Sequence, residues 1–550
     1  MPSRADRLKA NVVNESDTHS ANVAELFVAT VARRPDAVAL IEGIGVRRRA
    51  ISFRVLDAWS RQIAATLQDG PVSRGDAVLF FAAPSIELYA SVIAVLRLGA
   101  VAMFIEPSAG TAMIDRACAM HPPRAFIGSP RAHLLRLVSR AMRRIPRKYV
   151  TRGWVPGATS LAAHVTDARM IPVATTAEDD PALLTFTSGS TGRPKGAVRS
   201  HGILRAQLDA LTASVAAAEG TREMVSLPIV VLLNLANGAE TILPDADLRR
   251  PGEIDPAPVL DQLAGEEATR VTASPAFLER LADGARTVTS DLVGRARMRE
   301  IVTGGGPVFP DIVQRIVETW PMARVTSVYG STEAEPIAHV GNDEWTVDDL
   351  VAMRSGAGLL AGAPDRSVRL AIIAARWGAP LAPMSAADLA SRTLAPSESG
   401  EIVVTGAHVV RGYLGGIGDE ETKFTVDGVV WHRTGDIGYL DERGRLWLLG
   451  RADAVIEDAR GTLHPFAVEC AAREVLGVRR VAATAHDGKR LLILEAPTDL
   501  GAEARRAALD ALAWAQLDEV VTWRKLPMDR RHNSKVDYPA LRRRLATLSR

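Results

Sequence analysis

The stretch Thr187-Ser-Gly-Ser-Thr-Gly-Arg-Pro-Lys-Gly196 gathers hydroxyls, glycines and one lysine directly after the apolar run Leu183-Leu-Thr-Phe186. Ser188, Ser190 and Thr191 lie between or beside Gly189 and Gly192, whose missing Cβ lets a backbone approach a ligand closely. Amide groups turned inward by such a loop form a nest for an anion, and Lys195 adds positive charge, chemistry that suits a triphosphate. It is not the P-loop spelling, because Lys195 precedes a glycine rather than following one. On its own the stretch also reads as a flexible surface loop.

Four further clusters have types and spacing that could do chemistry. Thr326 to Glu333 sets Tyr329, Gly330, Ser331, Thr332 and Glu333 together. A ring can stack on a base, hydroxyls can bind phosphate, and a carboxylate can hold Mg²⁺, which prefers oxygen ligands. The plainer reading is a strand end followed by a helix capped by Ser331 or Thr332. Gly304-Gly305-Gly306-Pro307 permits close approach of a flat ligand; alone, it is a tight turn. Arg433-Thr-Gly-Asp436 and Gly450-Arg451-Ala-Asp453 offer charged groups between short strands, and Lys535 stands in a polar loop before a helix at 540–548.

These clusters need elements to position them. Val23, Leu26, Phe27 and Val31 have helical spacing, and 37–41 reads as a strand. Leu56 to Leu67 is an amphipathic helix, 77–81 a buried strand, 85–99 a helix and 100–105 a strand. Such alternation predicts a largely parallel sheet covered on both faces. Residues 134–148 alternate apolar residues with six basic ones and predict one basic amphipathic helix, either an ordinary surface helix or one that meets an anionic membrane or acidic partner. A helix follows the glycine–serine stretch from Gly202. Leu227 to Ala236 is apolar and broken by Asn234; it reads as a hydrocarbon pocket wall or as core strand. Residues 379–400 read as an irregular insertion, and 401–405, 429–431 and 445–449 as strands.

Length implies two or more domains. Lys+Arg 66 against Asp+Glu 64 leaves +2, so no global field calls for nucleic acid. Cys118 and Cys470 make neither a disulfide framework nor a metal cluster; they read as buried small residues and fit a reducing cytoplasm. The most apolar stretch, Tyr89 to Ile105, carries Arg97 in its middle, which predicts a buried helix rather than a membrane span.

Taken in order, the clusters resemble the adenylate-forming superfamily of acyl-CoA synthetases, luciferases and nonribosomal-peptide adenylation domains, from about residue 22 to 545. That resemblance implies an α/β fold: a large N-terminal domain of two α/β subdomains plus a β-barrel, with a small mobile α+β C-terminal lid. The boundaries implied are a flexible tail at 1–20, an adenylation domain at 21–450 and a lid at 451–550. It further implies ATP and Mg²⁺. Thr187, Ser188, Gly189, Ser190, Thr191, Gly192 and Lys195 would hold the β- and γ-phosphates. Gly304, Gly305, Gly306, Pro307 and Tyr329 would border adenine, Thr332 would contact the α-phosphate, and Gly330 and Ser331 would belong to the same nucleotide site. Glu333 would ligate Mg²⁺, Asp436 would accept from ribose hydroxyls, and Arg451 would steady ribose or phosphate. Asp453 would be the hinge, and Lys535 would bridge the substrate carboxylate and the α-phosphate.

Two details narrow the resemblance. Acyl-CoA ligases usually continue the hinge as Ile-Lys-x-x-Gly; here it is Ile456-Glu457-Asp-Ala-Arg-Gly461, and a glutamate repels the phosphates of CoA. Arg531-His-Asn-Ser-Lys535 is similar to the Arg-His-Asn-Ala-Lys tail of olefin β-lactone synthetases of bacterial hydrocarbon biosynthesis. The region Leu243–Pro251 is similar to that group too. The resemblance implies a 3-hydroxy acid with an apolar chain as substrate, and partner enzymes of a hydrocarbon pathway. An acyl-CoA or acyl-carrier ligase is the alternative. His201 and His532 are candidates, by type only, for a base at the 3-hydroxyl.

Overall fold

A computed structural model describes residues 20–105, 110–162, 169–188, 194–287, 297–374, 377–529 and 534–548. The expected tail, except Ser20, lies outside the described residues. So do Gly189 to Gly192 and His532, and at Thr187 and Ser188 only the backbone is described.

The N-terminal half builds a seven-stranded sheet in the order 159–160, 147–150, 125–128, 77–81, 101–105, 181–188, 194–200. All neighbours are parallel except the last pair, a hairpin. Crossover helices cover it. Ser85 starts one of them by accepting from Leu88 N–H, and all twelve residues of Ile86–Arg97 are buried. Arg97 is tolerated inside because it pairs with Asp57 and donates to the Ile171 carbonyl at 3.2 Å. A buried charge left without such partners would cost several kcal/mol, roughly.

The second sheet is continuous but changes character along its length. Strands 324–331, 300–304, 270–273, 222–225, 240–243 and 38–42 run parallel, with 49–52 antiparallel at the edge. From 334–341 onward it continues antiparallel through 359–364, 446–451, 429–440, 400–405 and 369–373. The two α/β layers and the β-rich extension are thus those implied by the resemblance. Residues beyond 455 enclose apolar cores of their own under the three-stranded sheet 481–486, 489–495, 519–523.

Several expectations are corrected. Leu227 to Ala236 is not a strand: Pro228–Asn237 is a helix ended by Gly238 at φ +83°, and its Leu232, Leu235 and Ala236 line a small apolar cavity, as the pocket-wall reading expects. Its Asn234 amide donates to Glu223 Oε2 at 2.7 Å, so the polar break is satisfied inside the core. No helix follows Thr332: a tight turn leads into the strand Ala334–Gly341. The stretch Arg433 to Asp436 lies within one twelve-residue strand, Val429–Leu440, rather than between strands. The segment 379–400 contains the helix Ala386–Arg392. The basic stretch is not one helix but two short ones, Leu135–Val138 and Arg140–Arg144. Both cysteines are buried and unpaired, and no described helix is long and apolar enough to cross a membrane.

Candidate active site

The hairpin register pairs Thr187 with Lys195 and Ser188 with Pro194, so the strands Pro181–Ser188 and Pro194–Ser200 deliver Lys195 beside the glycine–serine stretch. Gly196 is tightly enclosed here: a Cβ would stand 3.0 Å from the Phe186 ring and 3.1 Å from Leu414. One residue on, Ala197 bridges to Tyr413, which draws the 410–423 segment against the hairpin.

That bridge assembles a buried group. Lys195 is buried, with Nζ 3.2 Å from Glu421 Oε2 and 5.6 Å from the centre of the Tyr413 ring. Lys423 Nζ lies 5.5 Å from the same ring and donates to the Val410 carbonyl. Tyr413 therefore sits between two ammonium groups, and its hydroxyl donates to Glu333 Oε1 at 2.6 Å. Burial drives the Glu333 carboxyl up, but His432, the Tyr413 hydroxyl and Lys423 outweigh it and hold it below the usual range. Burial brings Lys423 down to about 8 and His432 down to about 3. Tyr413 itself is pushed well up by burial and by Glu333, so it remains a donor.

A second group forms where the two sheet halves meet. Tyr329, on the strand 324–331, donates its hydroxyl to Asp436 Oδ2 at 2.7 Å. Asp436 and Arg451 face each other across adjacent strands, and Arg451 Nη1 donates to Asp436 Oδ1 at 3.0 Å and to the Thr434 carbonyl at 3.1 Å. Gly435, at φ +70°, leaves room for Trp377, whose ring also meets Arg451 at 6.0 Å. Behind them the fully buried Arg433–Glu401 pair fixes the strand.

The strand Glu300–Gly304 ends at Gly305, φ +79°, and Gly306. A Cβ on Gly306 would fall 2.2 Å from Ser534 Oγ, so the loop carrying Lys535 rests directly on this turn. Asp529 shapes that loop: its Oδ1 accepts from the Ser534 amide at 2.9 Å and the Lys535 amide at 2.8 Å. The C-terminal segment is braced by Arg473, which donates to Asp311 at 2.9 and 2.7 Å and covers the Phe309 ring at 4.6 Å. Asp453 sits in the turn Ala452–Ala454, its carbonyl accepting from Arg542 at 3.0 Å.

Lys195, Tyr329, Glu333, Asp436, Arg451 and the Gly306 turn under the Lys535 loop thus occupy connected elements. His201 stands apart, and the reason is physical: it is fully buried, its Nδ1 accepts from Val23 N–H at 3.2 Å, and burial brings it down to about 4. Tyr413, Lys423, Glu421, His432 and Trp377 were not foreseen. A tyrosine among glycines at Arg411-Gly-Tyr-Leu-Gly-Gly416 was the available signal for the first. Among the described residues no cluster of three His, Cys, Asp or Glu could cage a metal. A lone ionised carboxylate suits Mg²⁺, which takes one or two protein oxygens and completes its shell with water and phosphate.

The AMP-binding enzyme profile matches residues 27–414. An olefin β-lactone synthetase of Stenotrophomonas maltophilia is 31% identical over 94% of this chain and 96% of its own. A feruloyl-CoA synthase of Amycolatopsis is 30% identical over 53% of each chain. Among solved structures, ATP-bound MatB from Rhodopseudomonas palustris matches 96% of this chain and 100% of its own with a TM-score of 0.75, at 20% identity.

Proposed function

The chain belongs to the AMP-binding enzyme family, as an ATP-dependent adenylate-forming ligase, and from that premise we propose that it converts a 3-hydroxy fatty acid to a β-lactone. The acid is an apolar one, 2-alkylated in the fullest form of the reading. Its carboxylate attacks the α-phosphorus of ATP, pyrophosphate leaves, and an acyl adenylate forms. The substrate's own 3-hydroxyl oxygen then attacks the activated carbonyl, the carbonyl carbon–phosphate oxygen bond breaks, AMP leaves, and the hydroxyl proton passes out of the site.

The first step sets negative charge against negative charge, so aimed cations supply most of the help and little base catalysis is needed. In this reading Lys195 and the glycine–serine stretch hold the outer phosphates. Gly304–Pro307 and Tyr329 border adenine, and Gly330, Ser331 and Thr332 lie along the α-phosphate. Asp436, steadied by Arg451 and the Tyr329 hydroxyl, accepts from ribose. Glu333 would hold Mg²⁺, which when bound neutralises phosphate charge. Lys535 reaches the α-phosphate from the C-terminal segment, which is a lid dividing from the rest at 450/451 and turning at Asp453. The observation that carries this is Ser534 seated on Gly306, because it sets the neighbouring lysine at the turn assigned to the nucleotide.

Ring closure needs hydroxyl and carbonyl held in attack geometry against ring strain. Supporting it over thioester formation are the near-full-length likeness to an olefin β-lactone synthetase and Glu457 in place of the ligases' lysine. Glu457 is exposed on the hairpin after Asp453. The test offers a 3-hydroxy fatty acid, ATP and Mg²⁺ without CoA. Lactone and AMP in equal amounts are expected; AMP without lactone, or acyl-CoA once CoA is added, would favour the ligase reading instead.

A further inference from the structure

We propose that the face built by residues 131–154 docks the enzyme on an anionic lipid surface. The observation is where the apolar side chains point. Ser139 breaks the basic stretch with an extended backbone, φ −105° and ψ 124°, and its side chain caps the second short helix through Met142 N–H. Its hydroxyl also donates to Asp115 at 2.5 Å. Beyond the break Met142 and Ile145 turn inward. Before it, Leu134, Leu137 and Val138, spaced to share one helix face, stand 61, 71 and 66% exposed. Arg136 Nη1 donates to the Pro156 carbonyl at 2.9 Å and ties this face to the loop that carries Trp154, 78% exposed. A surface helix that uses arginine only for solubility buries its leucines; here Leu135 packs against the core while Leu134 and Leu137 are held out.

Charge selects the occupant. From Arg116 to Thr166 the chain has ten lysines and arginines and no aspartate or glutamate, while the whole chain is close to balanced. Arg152 is engaged with Glu87 at 2.8 Å and Glu42 at 3.3 Å. Arg143 curls back to the Leu137 carbonyl at 3.0 Å, which keeps its charge beside the exposed aliphatics. Asp115, which flanks this run on its N-terminal side, is turned to Ser139 and the Ala141 amide. Aliphatics and one tryptophan at the centre of an arginine field suit the boundary between anionic headgroups and acyl chains. The strand beneath, Arg147–Val150, lies four strands from Pro181–Ser188, about 19 Å at the usual spacing. Docking there leaves the nucleotide-facing hairpin clear. The inference rests on this surface alone and holds whichever product the enzyme makes.

The test sediments the full chain with vesicles of phosphatidylcholine alone and of phosphatidylcholine mixed with phosphatidylglycerol. Binding to the mixed vesicles is expected to exceed binding to the neutral ones by about tenfold and to fall with salt. Arg140→Glu, Arg143→Glu and Arg144→Glu together should weaken it by at least about tenfold. Leu137→Ser with Trp154→Ser should also weaken it, although net charge is unchanged. Melting temperature and pyrophosphate exchange should stay as in the parent, which separates lost docking from lost folding. Equal binding to both vesicles, no binding, or variants that bind like the parent would overturn the proposal. So would variants that alter only self-association, since the face would then be a contact between copies.

Discussion

Glu333 and Glu469 are both largely withdrawn from water, yet their surroundings push them opposite ways. Around Glu333 stand His432, the Tyr413 hydroxyl and Lys423, and together they override burial and keep the carboxyl ionised. Around Glu469, in the C-terminal segment, burial wins and lifts the carboxyl to about 8, although the Tyr538 hydroxyl, the Ala483 amide and Arg473 pull it down. The first carboxylate keeps its charge inside the fold; the second is a neutral hydrogen-bonding group in a core. What separates them is the set of opposing partners, His432 first, then the Tyr413 hydroxyl and Lys423, not depth of burial.

The same contrast runs through the whole site. Lys195, Tyr329, Glu333 and Asp436 arrive already paired within a fixed scaffold. Lys535 is exposed on a loop shaped by Asp529 and resting on Gly306. If the fixed side binds nucleotide and the loop side performs the attack, removing Lys535 should hurt chemistry most. Lys535→Ala is expected to slow adenylation ~10²–10³-fold, the usual loss for one aimed donor, with little change in ATP affinity. Near-normal pyrophosphate exchange would erase the distinction. Tyr413→Phe comes next. It removes a hydrogen bond to a charged acceptor, worth about 1.5–3 kcal/mol, so exchange at limiting Mg²⁺ should fall about tenfold and recover partly as Mg²⁺ rises. An unchanged Mg²⁺ dependence would show that Glu333 is organised without the ring.

A smaller effect sharpens the comparison from the loop side. In Gly306→Ala the new methyl would meet Ser534 Oγ. Adenylation should drop several-fold, and Ser534→Gly should restore most of it, a coupling of about 1 kcal/mol. Additive losses would mean that the two residues never meet during turnover.

The fixed side was largely legible in the sequence because each of its motifs is local. The apolar run before Thr187 reads as the strand that carries it, and Tyr329 to Glu333 ends another. Asp436 and Arg451 were read as separate clusters; their pairing depends on a strand register that spacing does not encode. Tyr413 and Lys423 were illegible for a similar reason, since only the Ala197–Tyr413 bridge carries them to Glu333. The strand reading of Leu227 to Ala236 misled because a continuous apolar run has no period to read, and a proline at the first helical position was the better clue. The basic stretch kept helical spacing in sequence while Ser139 folded it in two.

The last prediction concerns the neutral carboxyl. Unfolded, a glutamate titrates near 4.3; folded, Glu469 titrates at about 8. Between those values the folded chain holds a proton that the unfolded chain has released, so this group's stabilisation is complete at low pH, declines as pH rises through the window, and is gone above about 8. Glu469→Gln keeps the shape and cannot ionise. Its amide can still accept from Tyr538 and the Ala483 amide, the two partners of Glu469 Oε1. The variant should therefore melt with the parent near pH 5 and a few degrees above it near pH 8, with the difference confined to the transition of the C-terminal segment. Equal melting at both values would mean that the segment admits enough water to keep this carboxylate ionised, and the two glutamates would then differ in location rather than in charge.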